Sequence, residues 1–323
     1  VAVGMNAGNV VTTGVQNTLI GGLAGDALTT GSQNISIGYQ ALSADDLGSH
    51  NVAIGANALS DMNFATATDS YNTAVGDQAG LRVTTGVQNT LIGGLAGDAI
   101  TDANNNTALG YAALSTNQRG AFNVAVGVGA LQTANPSGAA DTYNTAVGFD
   151  AGNAVTTGDR NTLIGGLAGD ALTSGAANVA VGYLALSADT LGASNVAIGR
   201  SALTTQNFTT ATDAFNVAVG DRAGTAVTTG TSNTFVGGLA GDATDDGVGN
   251  TAMGYAALSA NCGDGNTGIG FAALNECTGA DNTALGTTAG NRIETGSNNL
   301  MLGHDTGETG SPGGIINGST SNI

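Results

Sequence analysis

Residues 106–114 read NTALGYAAL, and the pattern of apolar and polar positions in this stretch recurs along almost the whole chain. Asn opens each unit, an alternating segment such as TAL follows, Gly stands four places after the Asn, and Ala stands three places after that Gly. The opening Asn falls at 17, 34, 51 and 72, then at 89, 106, 123 and 144, and continues to Asn299. The spacings cycle as 17, 17, 17 and 21 residues, so four units make a super-repeat of 72; after Asn233 they become 17, 16, 16 and 17. Alternation over about five residues predicts a short strand, with the Asn and the second residue after it on one face and the first and third on the other. A helical repeat needs two helices and roughly 33 residues or more, and the glycine content also opposes helix.

The pattern therefore predicts an all-β chain, a β-roll or β-solenoid of about eighteen coils of 16–21 residues. Each coil is a strand, a Gly turn, a second short stretch through residues such as AALS, and a polar return loop. At a strand spacing of about 4.8 Å the coils would extend roughly 85 Å, held by contacts between neighbours without one central core. Asn89 and Asn106 are expected to form a side-chain ladder. Gly93 and Gly110 allow a bend or a close backbone approach, and Ala96 and Ala113 keep their layer thin. The repeat region spans 1–307. The rhythm then decays, and 308–323 reads as a cap or a linker to a further region. The chain opens within a motif, which reads as a section of something longer.

One strand face fills the interior, and the other, also small and apolar, calls for a partner. Self-association is the economical solution, and three parallel chains is the favoured form. At this point NVAIGANAL, NTALGYAAL and NTALGTTAG resemble the repeats of trimeric β-roll fibres, found in bacteriophage tail fibres and in the heads of trimeric autotransporter adhesins. The resemblance covers nearly all the chain. It implies a left-handed trimeric roll in an extracellular appendage of a virion, presenting a host-attachment tip, with no catalytic residues. A bacterial cell-surface adhesin head that binds matrix or glycan is the alternative reading. An ice- or surface-binding solenoid is weaker, because Val and Ile interrupt the Thr row.

Composition narrows the chemistry. The chain of 323 residues has 54 glycines, no tryptophan, and 24 acids against six cations, a formal charge of −18. Such a surface repels nucleic acid, whose binding needs clustered Lys and Arg. No apolar run is long enough to insert in a membrane as a helix. The run GGLAGDAL resembles a calcium nonapeptide, but Asp26, Asp98, Asp170 and Asp242 stand four coils apart. Ca²⁺ would need three chains to share it, and a solvated turn acid is the preferred reading. The run also lacks the lysine of a phosphate loop. No cofactor is expected, and nothing points to an enzyme.

Two further features are candidates. Cys262 and Cys277 occupy nearly equivalent points of consecutive coils, which predicts a disulfide. The 21-residue coils carry extra loops with Phe64, Pro136 and Phe208 at one position and Tyr71, Tyr143 and Phe215 before the next Asn. Projecting rings there would suit contact with a host glycan or protein receptor. The competing reading is that the loops pack over a neighbouring chain.

Overall fold

A computed structural model describes residues 1–307 and the backbone of 316–317; the expected cap or linker at 308–323 otherwise lies outside the described residues. The described residues contain strands, turns and bends but no helix. The chain forms two compact units, Val1–Asn161 and Thr162–Ile323. Each is a parallel β-solenoid. In the first unit nine repeat strands, from Ala2–Val3 to Thr145–Val147, pair in parallel and in register, as in Thr90↔Thr107, Leu91↔Ala108 and Ile92↔Leu109. In the second, nine strands from Thr162–Ile164 to Asn299–Leu302 do the same. Together these are the expected turns of about eighteen, one strand per coil.

Within a coil the strand is only three residues long, and the expected second short stretch is a run of turns. The cause is a left-handed backbone at regular places. In the coil from Asn89, Gln88, Leu95 and Gly97 have φ of 58°, 58° and 57°. Alternating left-handed residues cannot continue a pleat, so the chain folds tightly, and its N–H groups reach the carbonyls of adjacent coils. Gly97 N donates to Ala113 O at 2.9 Å, and Leu95 N to Asp77 O at 3.0 Å. Left-handed conformations are unfavourable for L-residues other than Gly, so stacking must stabilise them at each coil.

The glycine four places after each Asn answers a close approach. Gly110 has φ +140°, and a Cβ there would lie 2.4 Å from the carbonyl oxygen of Gly127 in the next coil. No side chain fits between backbones so placed. The Asn ladder forms in a modified way: the amide bridges backbones more than it bridges amides. Asn89 N donates to Asn72 Oδ1 at 2.9 Å and Asn106 N to Asn89 Oδ1 at 3.0 Å. The Asn89 Nδ2 donates to Ala103 O, in the return loop of its own coil, at 2.9 Å. One side chain thus closes a coil and ties it to the next. In the second unit Asn195 N donates to Asn178 Oδ1, and Asn250 N to Asn233 Oδ1, in the same way.

The interior explains the four-coil cycle. Ala96 and Ala113 are fully buried, as is the middle residue of the strand. Where that residue is Leu91, the eighth place after the Asn is Gly97, whose added Cβ would meet Leu91 Cδ2 at 2.7 Å. Where it is Ala108, the eighth place is Leu114, fully buried in a left-handed backbone with φ 53°. The interior slot is filled from one side of the coil or from the other. Gly80, whose coil has Ala74 on the strand, lies beneath both Leu59 and Leu91, so a coil with neither leucine is filled by its neighbours.

Candidate interaction surface

The first and third residues of each strand point away from this interior. Third-place residues are apolar throughout, and all are half-buried or exposed: Ile20 at 38%, Leu109 at 45% and Ile164 at 39% are among the exposed. Thr and Val fill the first places, except for Ile35 and Leu300. Each unit therefore carries two adjacent columns of β-branched and aliphatic side chains along one sheet face, left half-buried or exposed among the described residues. Contiguous exposed apolar patches of this sort mark contact surfaces.

Aromatic rings edge that face. Tyr39, Tyr111, Tyr183 and Tyr255, just after the invariant Gly, are 53–57% exposed. Each Tyr lies across a glycine in the coil before it: a Cβ on Gly94 would touch Tyr111 Cδ2 at 3.5 Å, and one on Gly166 would touch Tyr183 Cδ2 at 3.6 Å. The second Gly of the repeated GGLAGDA run is thus the bed of a tyrosine ring. Tyr255 and Phe271 stack at 5.7 Å.

A second set of rings precedes the opening Asn. Tyr71, Tyr143 and Phe215 are exposed at 52, 52 and 58%. His50 stacks on Tyr71 at 4.7 Å and also bonds Asp69 through Nδ1 at 3.1 Å; Phe122 stacks on Tyr143 at 5.1 Å. The other loop aromatics differ from expectation. Phe64 and Phe208 are only 6% exposed, and Pro136 is half-buried, so none of these offers a free ring face. Their loops fold back because the residue eleven places after each Asn forms an interior column. In the coils under these loops that residue is Asp45, Asn117 or Asp189, each fully buried. The Phe208 N–H points at Asp189 Oδ1, 3.5 Å away, and the Phe64 N–H helps hold Asp45. Pro136 has no N–H to donate, and the coil under its loop carries Asn117 in place of an acid. The amide satisfies itself on Gly120, accepting from its N and donating to its O, both at 2.8 Å.

The buried acids went unread in the sequence, although the column had a signal: Leu28, Val83, Ile100, Val155, Leu172 and Val227 share it. Their environments differ. Asp189 Oδ2 accepts from Gln206 Nε2 at 2.7 Å, and Gln206 Oε1 accepts from Asn216 Nδ2 at 2.9 Å. At Asp45 the place of Gln206 is taken by Met62, and Asp45 Oδ2 has no hydrogen-bond partner. Burial raises its carboxyl from 3.8 to about 6, against the opposing N–H groups of Gly48, Leu47 and Phe64.

No protein-family profile matches the sequence, and comparison with curated proteins finds no match. The surface must therefore be judged on its own chemistry.

The disulfide expected between Cys262 and Cys277 is not formed; both are free, buried thiols. They belong to the same interior column, but the shortened coil from Asn250 places Cys262 twelve residues after its Asn and Cys277 eleven after its own. Each sulfur engages a coil on the far side from the other. Cys262 Sγ lies 3.1 Å from Thr244 Oγ1, and Asn282 Nδ2 donates to Cys277 Sγ at 3.3 Å. Burial pushes the Cys262 thiol up to about 11 and also raises Cys277. Of the repeated acids, Asp98 is raised by burial, with Arg82 opposing; Asp242 is raised by burial, with Ser259 and Arg222 opposing. Among the described residues no three His, Cys, Asp or Glu side chains gather where they could hold a metal ion.

Proposed function

We propose that this chain is a structural and adhesive segment of an extracellular fibre, of the bacteriophage tail-fibre kind, and that it associates as a parallel homotrimer of left-handed rolls. The observation that carries the reading is the uncovered apolar strand face. The interior is already filled by Leu91, Leu114 and their equivalents, so Ile92, Leu109, Val126 and their equivalents are not needed to fill it. In water such columns are unfavourable by about 25 cal/mol for each Å² left exposed, and a repeat that presents the same residues at every coil is self-complementary along its length. Three-fold display would add avidity at a host-attachment end. No step in this reading is catalytic. A cell-surface adhesin head is the second reading, supported by ring pairs that lie on the roll itself.

Sedimentation equilibrium of the chain should give three times 31.1 kDa. Ile92→Asp, which places a charge on the outer face without touching the interior, should reduce the mass to that of one chain while retaining the β spectrum. A wild-type monomer would end the trimer reading. A density map of the parent particle in which this chain lies outside any appendage would end the fibre reading.

A further inference from the structure

The three 21-residue coils are near copies, so a site that is not structural should lie where one differs. The second does. In the coil before it Arg119 stands where the first and third super-repeats carry Leu47 and Leu191, and one coil earlier Asp102 stands where they carry Thr30 and Ser174. These two changes flank a groove of about 370 Å³ lined by Asp102, Ala103, Asn104, Arg119, Ala121 and, from the extra loop, Ala139–Asp141. Its floor is the short parallel ladder in which Gly120 faces Ala140 and Ala121 faces Asp141. Arg119 Nε lies 3.9 Å from Asp102 Oδ1, a loose pair that leaves donors free for a ligand. Beside the groove lining, the stacked rings of Phe122 and Tyr143 stand one place after Ala121 and two places after Asp141, and the Tyr143 hydroxyl donates to Asp141 Oδ2 at 3.4 Å.

We infer that this groove binds a neutral hexose unit of a glycan, stacked at the Phe122–Tyr143 pair and hydrogen-bonded by Asp102, Asn104, Arg119 and Asp141. The volume suits a small ligand. Carboxylates accept from sugar hydroxyls, the guanidinium and amide donate to them, and an aromatic face covers the C–H face of a pyranose. Two carboxylates against one guanidinium, on a chain of charge −18, select against an anionic sugar. The groove is built from one chain and lies off the outer strand columns, so it stands whether or not the chain trimerises. It also places recognition on the side wall of the roll rather than at a tip.

The test is saturation-transfer NMR on the full chain with the methyl glycosides of glucose, galactose and mannose, and with N-acetylneuraminic acid as the anionic contrast. At least one neutral glycoside should show transfer, stronger than the anionic sugar does. Arg119→Leu, which installs the residue that the other two super-repeats fold with, should cut that transfer at least fivefold with an unchanged melting temperature. Tyr143→Ala should do likewise. Absence of transfer from all three neutral glycosides, equal or stronger transfer from N-acetylneuraminic acid, or undiminished transfer in Arg119→Leu would overturn the site.

Discussion

At the scale of single residues, the chain uses backbone states that most folds reserve for glycine, and it sets polar side chains in a core that is otherwise aliphatic. Asp45 is the most exposed to pH. Its carboxyl stands near 6 when folded, against 3.8 for the ordinary group, so the folded chain holds that proton more tightly than the unfolded one. Stability contributed at this site therefore falls as pH rises from about 4 to about 6, and the full cost is present above that. Asp45→Asn copies the arrangement of Asn117, whose amide bonds Gly120 twice. At pH 7 it should stabilise the first super-repeat by about 1–3 kcal/mol, the scale set by 1.36 kcal/mol per pKa unit. Chemical denaturation at pH 4 and pH 7 measures this. A variant no more stable than wild type at pH 7 would show that Asp45 is not held at a cost.

At the scale of the coil, packing is a matter of which position fills a shared slot. Leu91→Ala removes a fully buried side chain between Gly80 and Gly97, and a loss of about 2–5 kcal/mol is expected from the cavity. Adding Gly97→Leu gives the coil the interior of its successor, which carries Ala108 and Leu114. Because Leu114 already tolerates φ 53° at that place, the double variant should recover at least half of the lost stability in thermal or denaturant melts. A double variant worse than Leu91→Ala would mean that the four-coil order is fixed by something other than slot filling.

At the scale of the whole molecule, contacts run between neighbouring coils, so stability should add coil by coil. Excision of residues 73–144 joins Asn72 to Thr145 and recreates the same NTAV junction with a complete super-repeat removed. The shortened chain should fold, keep the β signal per residue, and melt within a few degrees of the original. Collapse to an unfolded chain would show that the second super-repeat is needed beyond its neighbour contacts.

The sequence by itself determined the coil. The recurring Asn, Gly and Ala each meet a local demand at one fixed place, namely an amide bridge, a backbone approach and a thin layer, and a demand met at every turn is visible as a period. The strand faces were legible for the same reason, since alternation at Thr107–Leu109 decides inside from outside. What neighbours impose was not legible. Whether Phe64 projects or folds over Asp45, whether Cys262 meets Cys277 or Thr244, and what lies across the second Gly of GGLAGDA depend on residues about a coil away in the chain. One inserted or deleted residue in a coil changes which side chains meet there. Only the tertiary structure sets that stacking register, because burial and hydrogen bonding across coils, and not any local preference, choose the partner.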